Sequence, residues 1–208
     1  MAKELTHCIV CGKSQVEQFL DLGSTPLANK FLGRDKLSQP EPSYPLRVGF
    51  CHDCHHVELT EAVPPSAMFD DYLYISSASD TLKAHLFDLS DIVTERYQLN
   101  AKDLVIDVGC NDGTLLSGFK RHGVKTLGVD PAQNLAAFTE KLGIARHVGF
   151  FNSSSAREIA GKHGPASAIT GVAVPPHVLA AKRGSEFFQI DKETGKLKGI
   201  IAIDLRRL

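Results

Sequence analysis

Hydrophobic residues follow two different patterns in the two parts of this chain. Up to about residue 63 they form short pieces interrupted by Pro and Gly, with no sustained period. From residue 104 onward, short β-branched or apolar runs alternate with stretches whose apolar residues recur at helical spacing. This alternation of strands and helices predicts the α/β class, with a parallel sheet covered by helices on both faces.

The elements of the second part can be placed from this pattern. A long helix is predicted after Ser79 or Asp80, either of which can serve as its N-cap. Strands are predicted at 105–108, 126–129 and 167–174, and helices at 114–122, 133–142 and 154–162. The apolar stripe of the long helix comprises Leu82, Leu86, Leu89, Val93 and Tyr97. The residues expected to face inward from the helix at 133–142 are Leu135, Ala136, Phe138 and Leu142.

Composition excludes several classes of protein. Of the 208 residues, 43% are hydrophobic, which is enough for a packed core and argues against disorder. The 23 Lys and Arg against 24 Asp and Glu give a net charge of -1, so a nucleic-acid partner is not favoured. The N-terminus lacks the apolar centre of a signal peptide, and no run is long enough to span a bilayer. We therefore expect a cytoplasmic protein with no membrane partner.

Four of the five cysteines form two Cys-x-x-Cys pairs. In a cytoplasmic chain, Cys8 with Cys11 and Cys51 with Cys54 favour a metal site over disulfides, and four thiolates suit a closed tetrahedral Zn²⁺ site. A structural metal would also compensate for the weak core of this region, so residues 1–63 are predicted to form a zinc-binding module. Hairpins or a loop are expected to fill residues 12–50.

These cysteines have other possible uses. Thioredoxin-like redox chemistry needs a Cys-x-x-Cys that opens a helix in a βαβ setting, which neither pair has. Iron bound by four thiolates is chemically possible and cannot be told from zinc by sequence. His52, His55 and His56 surround the second pair and are alternative ligands, although four thiolates are already present.

A glycine-punctuated loop follows the first predicted strand of the second part. Its sequence, Gly109-Cys-Asn-Asp-Gly113-Thr, departs from the dinucleotide fingerprint and instead has G-x-x-x-G spacing with Asn111 in the middle. This variant is expected where the ligand has no pyrophosphate. Asp107 before the loop is a candidate partner for an ammonium group, and Asp130 at the end of the next strand for both ribose hydroxyls.

A ligand with a ribose, an adenine and an amino-acid end fits these groups, which predicts S-adenosylmethionine as a cofactor. A phosphate-binding loop is excluded because no Gly-Lys-Ser/Thr follows. Cys110 is interpreted as a small side chain near the ligand, with a reactive thiol as the alternative. The predicted cofactor-binding residues are Asp107, Gly109, Asn111, Asp112, Gly113, Asp130, Pro131 and Phe151.

A segment rich in aromatic and hydroxyl residues precedes the long helix. It contains Tyr72, Tyr74, Ser76, Ser77 and Ser79, which is more than a linker requires. Surface turn residues are the plain alternative.

We predict a zinc module at 1–63, a linker segment and helix at 64–100, a cofactor-binding domain at 101–178 and a diverged tail at 179–208.

Taken in order, the motifs of this chain resemble those of the zinc-binding nucleotide-sugar C-methyltransferases of deoxysugar biosynthesis. The resemblance covers residues 5 to about 170. The motifs that carry it are Cys8-x-x-Cys11, Leu22-Gly-Ser-Thr-Pro-Leu-Ala-Asn29, Tyr44-Pro-Leu46, Cys51-x-x-Cys54, Phe69-Asp-Asp-Tyr-Leu-Tyr-Ile-Ser-Ser77, His85, Asp107-Val-Gly-Cys-Asn-Asp-Gly-Thr-Leu-Leu116 and Gly128-Val-Asp-Pro-Ala132.

This resemblance implies a Rossmann-like class I methyltransferase sheet preceded by the zinc module. It also implies methyl transfer from S-adenosylmethionine to a sugar carbon next to a keto group, on a sugar carried by a nucleoside diphosphate, usually dTDP. By the same resemblance, Tyr72 is a catalytic candidate, Tyr74 and Ser77 are substrate-binding candidates, and Phe150 with Phe151 flank the adenine. Ordinary core packing is the alternative for at least one of these phenylalanines.

The resemblance weakens beyond Ile169 and Thr170. His177 falls on the family's active-site histidine, but Val172 and Ala173 stand where the family has asparagines, and two prolines precede His177. A surface histidine is the alternative. Residues 187–204 suggest two strands around a Lys-Glu-Thr-Gly turn. The family's sheet and C-terminal acid-base groups are not recognised there, so we expect an incomplete or diverged copy of the methyltransferase.

Two other functions are carried forward from the sequence. One is a module that binds S-adenosylmethionine or a sugar nucleotide without turnover. The other is a zinc-ribbon methyltransferase of nucleic acid, which should carry a basic face; the charge of -1 and the acidic pair Asp70 and Asp71 speak against it.

Overall fold

The computed structural model describes residues 3–28, 30–172, 188–190 and 197–199, the last two ranges by their backbone alone. The chain divides into two units, Met1–Tyr74 and Ile75–Leu208, called unit 1 and unit 2 below. The finer boundaries predicted at residues 63, 100 and 178 stay predictions.

Unit 1 is built mainly from short antiparallel strands. Its central sheet has three strands in the order β2-β3-β4, and β1 pairs separately with β5. The hairpin of β2 and β3 fills most of the interval between the two cysteine pairs, as predicted. The elements are β1 (Lys3–Glu4), β2 (Val16–Pro26), β3 (Ser43–Cys51), β4 (Val57–Leu59), β5 (Glu61–Ala62) and α1 (Pro65–Phe69), with a 3₁₀ turn at Arg34–Lys36.

Unit 2 contains the predicted alternation of strands and helices. The predicted N-cap is confirmed, since the Ser79 hydroxyl accepts a hydrogen bond from the Leu82 amide at 3.3 Å. A 3₁₀ turn (Ser76–Ala78) precedes the first helix, and another (Gln133–Leu135) leads into α4. The elements are α2 (Asp80–Tyr97), β6 (Leu104–Val108), α3 (Thr114–Arg121), β7 (Lys125–Asp130), α4 (Ala136–Lys141), β8 (Ala145–Val148), α5 (Ser153–His163), β9 (Ala168–Thr170), β10 (Phe188–Ile190) and β11 (Leu197–Gly199).

The main sheet of unit 2 is parallel, with the strand order β8-β7-β6-β9. Strand β6 is buried along its whole length, as expected for a central strand covered on both faces. Since β7 and β8 lie on one side of β6 and β9 on the other, the order reverses between β6 and β9. In open α/β sheets, ligands bind outside the carboxyl ends of the strands at such a switch point.

Side chains on the two faces of the sheet form separate cores. On one face, Val105 packs with residues of α2 and α3, including Leu89, Leu116 and Phe119. On the other face, Ile106 and its neighbours pack with Ile159 of α5. The two cores arise because successive residues of a strand point to opposite faces. The predicted α/β class with helices on both faces is therefore confirmed.

Two details of the predicted pattern were wrong. Phe138 and Leu142 are 38% and 41% exposed, whereas Thr139 is buried. The predicted helix is divided into a 3₁₀ turn and the short α4, so its residues do not follow one helical period. The strand β8 was missed, since its sequence Ala-Arg-His-Val carries two polar residues within four positions.

The pair β10 and β11 is antiparallel, in agreement with the predicted tail hairpin. Within the described residues, no helix is both long enough and apolar enough to cross a membrane.

Candidate functional site

The four predicted zinc ligands come together in unit 1. The Sγ atoms of Cys8 and Cys54 are 3.6 Å apart, as are those of Cys11 and Cys51. All four sulfurs lie within 4.8 Å of one another. A cluster of four thiols at this spacing has the donor set of a closed tetrahedral zinc site, with no open position for a substrate.

Each cysteine pair sits in a turn of the same construction. The amides of Gly12 and His55 donate to the carbonyls of Cys8 and Cys51 at 2.9 and 2.8 Å. Gly12 and His55 both stand four residues after the first cysteine of their pair, and both have positive φ, 74° and 60°. The two turns therefore present their thiols in the same way, which explains how two separate pairs make one cluster.

The protonation of the thiols is uneven. Burial raises the pKa of Cys8 to about 12. Although burial opposes it, hydrogen bonds from the backbone of Cys54 and Asp53 lower the pKa of Cys51 to about 7. Backbone donors around a thiol stabilise the thiolate, which is the form that binds metal.

The glycine-punctuated loop of unit 2 follows β6 at the switch point of the sheet. Gly109, Asn111 and Gly113 have φ values of 72°, 52° and 83°. Glycine adopts this left-handed backbone at no steric cost, and asparagine is one of the few other residues that tolerate it. The spacing seen in the sequence, with Asn111 between two glycines, thus corresponds to three left-handed residues that curl the loop.

Side chains of the loop itself hold its shape. Asp112 Oδ1 accepts from the Thr114 amide at 3.1 Å and from the Thr114 hydroxyl at 2.6 Å, and its Oδ2 accepts from the Ser77 amide at 2.8 Å. Although burial opposes the shift, these hydrogen bonds lower the pKa of Asp112. Asn111 Oδ1 accepts from the Ser76 amide at 3.0 Å. The residues before α2 therefore fasten the loop through backbone amides.

Asp130 ends β7 beside the loop, as predicted. Its Oδ2 accepts from the Asn111 amide at 2.8 Å, and its Oδ1 accepts from the Ala132 amide at 2.8 Å. Oδ1 also lies 3.2 Å from Nη2 of Arg146, whose side chain is 5% exposed. A carboxylate offers about four acceptor positions. Among the described residues three of these positions have a partner, and contact of Asp130 with the ribose hydroxyls stays a prediction.

Asp107 is the penultimate residue of β6. It lies in the middle of the sheet, 3% exposed, and its Oδ1 accepts from the Thr170 hydroxyl at 2.7 Å. Burial raises the pKa of Asp107 to about 7, and the nearby charge of Asp130 adds to the shift. Direct contact of Asp107 with a ligand ammonium group stays a prediction.

The remaining cofactor candidates fall into distinct environments. Pro131 is half-buried in the turn after β7. Phe151 packs against the core that contains Ile106, whereas Phe150 is 41% exposed. The core alternative therefore applies to Phe151, and Phe150 is the freer of the two rings. Cys110 is 3% exposed, and burial strongly raises the pKa of its thiol, which agrees with a packed small side chain rather than a reactive one.

The structure gives fewer contacts for the predicted substrate-binding and catalytic residues. In unit 1, the Tyr72 ring lies 5.9 Å from that of Phe69 and 6.5 Å from that of Tyr74. The Ser77 amide is used by Asp112. His177 lies outside the described residues. The roles assigned to these four positions stay predictions.

Two side chains of the site were missed by sequence reasoning. Arg146 lies beneath the loop, and Thr170 donates to Asp107 from the neighbouring strand. Thr170 lies at the end of the stretch covered by the resemblance, and nothing in the short polar run around Arg146 marked that residue as part of a site.

The chain is similar to known methyltransferases. Residues 8–69 match a family described as "Putative zinc binding domain". Over 171 residues, 82% of this chain, the sequence is 33% identical to the C-methyltransferase NovU of Streptomyces niveus, of which it covers 41%. The chain therefore spans about two fifths of the length of this relative. The predicted resemblance to zinc-binding C-methyltransferases is confirmed by these two matches.

Solved structures give weaker similarities. DesVI of Streptomyces venezuelae is 22% identical and aligns with a TM-score of 0.33, over 43% of this chain and 36% of that one. An amino pentose methyltransferase from Micromonospora echinaspora, solved with S-adenosylmethionine bound, is 18% identical with a TM-score of 0.36, over 53% and 50%. The fold assignment rests on the strand order described above. The predicted zinc site agrees with the match of residues 8–69 to a zinc-binding family.

Proposed function

We propose that this chain is the zinc-binding and cofactor-binding part of an S-adenosylmethionine-dependent C-methyltransferase. The proposed substrate is a keto-deoxysugar carried by a nucleoside diphosphate, dTDP in the first instance. The observation that carries the proposal is the curled loop of Gly109, Asn111 and Gly113 at the switch point, with the Asp130 carboxylate beside it.

The residues present fit S-adenosylmethionine. The loop carries no lysine and no Ser/Thr after a lysine, so it lacks the groups that hold a nucleotide triphosphate. Among the described residues, three contacts leave the Asp130 carboxylate a fourth acceptor position at the end of β7, where a ribose hydroxyl can donate to it. The loop side chains Asn111 and Asp112 accept hydrogen bonds from the Ser76 and Ser77 amides, which keeps the loop fixed before any ligand arrives.

The residues of unit 1 fit zinc in a structural role. Four thiols within 4.8 Å supply the whole tetrahedral set, which leaves the metal no part in substrate chemistry. Zinc bound at this cluster would join the two turns of the module and fix the ends of the hairpin formed by β2 and β3.

The proposed chemistry divides between cofactor and protein. S-adenosylmethionine supplies an electrophilic methyl group when bound. A carbon next to a keto group is acidic enough for a positioned base to remove its proton. The resulting enolate carbon would attack the methyl carbon in line, the methyl–sulfur bond would break, and S-adenosylhomocysteine would leave. Tyr72 is proposed as a hydroxyl that contacts the sugar and His177 as an acid-base group, with Tyr74 and Ser77 beside the substrate.

Cofactor binding is the first test. Calorimetry on the full chain should detect S-adenosylhomocysteine, and Asp130→Asn should weaken its affinity about tenfold or more, because the hydroxyl loses a charged acceptor. Asp88→Asn, an exposed carboxylate on α2, is the matched control and should bind as wild type does. An unmodified chain that binds neither S-adenosylmethionine nor S-adenosylhomocysteine would contradict the proposal.

Methyl transfer is the second test. The full chain is incubated with S-adenosylmethionine carrying a labelled methyl group and with a dTDP-linked keto-deoxysugar, and label in the sugar is measured. Transfer to the sugar carbon supports the proposal, and Tyr72→Phe should slow it. Cofactor binding without transfer would favour the non-catalytic binding module. RNA binding that weakens with salt would favour the nucleic-acid methyltransferase instead.

A further inference from the structure

We propose that Arg146 is a positioning residue of the cofactor site, which holds the Asp130 carboxylate and the glycine-rich loop in the geometry that receives a ribose hydroxyl. This inference rests on the proposed function of the site as an S-adenosylmethionine site. Arg146 belongs to β8, two strands away from the loop it serves.

The guanidinium of Arg146 joins three separate parts of the site. Nη1 donates to the Asn111 carbonyl in the loop at 2.8 Å, and Nη2 donates to the Ala132 carbonyl in the turn after β7 at 2.7 Å. Nη2 also forms the 3.2 Å ion pair with Asp130 Oδ1. One planar group therefore fixes the distance between the loop and the turn that carries the carboxylate, which a flexible ammonium group would do less well.

The Asp130 carboxylate also connects the loop with the turn after β7. Its two oxygens accept from the Asn111 amide and the Ala132 amide, the same two residues whose carbonyls Arg146 binds. Carboxylate and guanidinium thus tie the N–H and C=O groups of both residues together. The three contacts orient the carboxylate so that its remaining acceptor position belongs to Oδ2, on the side of the loop.

A purely structural role explains this arrangement poorly. The Arg146 side chain is 5% exposed and its Nε has no hydrogen-bond partner among the described residues. Burying a charge and leaving a donor unpaired both reduce stability, and an apolar residue in a strand would avoid both costs. The Asp130 side chain, 10% exposed, is a second charge that is largely buried beside the loop.

The charges of the site also support a positioning role for Arg146. The ionisable groups that face Asp130 are Asp107 from β6, Cys110 from the loop and Arg146 from β8. Arg146 is the only cation among these three. Without it, the Asp130 carboxylate would lose the charged partner that holds it in place.

The test compares two ligands on the full chain by calorimetry, S-adenosylhomocysteine and its 2′,3′-dideoxyribose analogue. Arg146→Gln should weaken the binding of S-adenosylhomocysteine about tenfold or more, because the acceptor loses its charge-assisted support. The same variant should leave the affinity for the dideoxy analogue nearly unchanged, because that ligand makes no use of Asp130. Arg146→Lys should recover part of the loss, and Arg157→Gln, an exposed arginine on α5, should bind as wild type.

A double-variant cycle separates positioning from general support of the fold. The losses for Arg146→Gln and Asp130→Asn should not add, since both act on one hydrogen bond. Equal losses for both ligands, or additive losses, would overturn the inference, as would wild-type affinity in a folded Arg146→Gln chain. If the unmodified chain binds no S-adenosylhomocysteine, the proposed function itself fails. If the glutamine variant does not fold, Arg146→Lys decides, and the same affinity ratio for both ligands would count against the inference.

Discussion

Unit 1 and unit 2 are each stabilised internally by a different kind of contact. In unit 2, leucine, isoleucine, valine and phenylalanine side chains from helices and strands form two buried cores around the parallel sheet. In the described residues of unit 1, the only fully buried apolar side chains are Cys8 and Cys51, while Phe19 and Leu22 of β2 are 58% and 55% exposed. The centre of unit 1 is therefore its thiol cluster.

This difference shows how a short segment can be ordered without an apolar core. A small antiparallel sheet buries too little surface to offset the entropy of ordering its chain. A metal held by four residues distant in sequence can supply the missing free energy, because its binding is coupled to folding. We therefore expect unit 1 to respond to metal and unit 2 to respond to changes in its core and its buried charges.

Loss of a zinc ligand should have the largest effect. Cys51→Ser should abolish stoichiometric zinc and unfold unit 1, since structural zinc contributes on the order of 10 kcal/mol in small zinc domains. Metal analysis and hydrogen exchange read by mass spectrometry would report the change separately for each unit. Cys110→Ala, which removes the cysteine of unit 2, is the control and should retain zinc. Intact protection of β2 and β3 in the metal-free Cys51→Ser chain would show that the sheet does not depend on zinc.

A cavity in the core of unit 2 should come next. Leu116 of α3 is fully buried, so Leu116→Ala should reduce the free energy of unfolding of unit 2 by about 2–5 kcal/mol. Zinc content should not change. Leu22→Ala removes the same side chain from the exposed face of β2 and should cost little. Chemical denaturation followed by circular dichroism gives the measurement, and an equal loss for both variants would remove the proposed contrast between the units.

The buried carboxylate of Asp107 should give the smallest effect and a pH dependence. Burial raises the pKa of Asp107 to about 7, so the folded chain holds a proton that the unfolded chain releases. The stability that this proton confers is fully present below about pH 4 and is lost as the pH rises through about 7, at most about 4 kcal/mol.

Asp107→Asn cannot ionise and retains an oxygen that can accept from Thr170. Its unit 2 should lose less stability than wild type between pH 5 and pH 8, measured by hydrogen exchange in β6. Asp88→Asn, on the exposed side of α2, should keep the wild-type dependence. Identical pH profiles for wild type and Asp107→Asn would mean that Asp107 stays charged at no cost in the fold.

Much of the fold followed from local patterns. The long helix α2 and its N-cap were predicted from a stripe of apolar residues and a serine, because helix formation depends on neighbours within one turn or two. The strands β6 and β7 were predicted from short apolar runs. Strand β8 was missed because Arg146 gives it a polar sequence, and only the pairing with β7 makes it a strand.

The candidate site also has features that local sequence predicts and features that only tertiary contacts decide. The sequence alone determined the two Cys-x-x-Cys pairs, the G-x-x-x-G spacing with Asn111 and the carboxylate at the end of the second strand, since each is a matter of residue type and short spacing. Tertiary structure decided which groups remain available to a ligand. It buried Asp107 against Thr170 and fastened the loop to residues before α2. It also brought Arg146 into contact with the Asp130 carboxylate, a carbonyl of the loop and a carbonyl of the turn after β7. These contacts join residues from separate strands, and their hydrogen-bond geometry exists only after the sheet has formed.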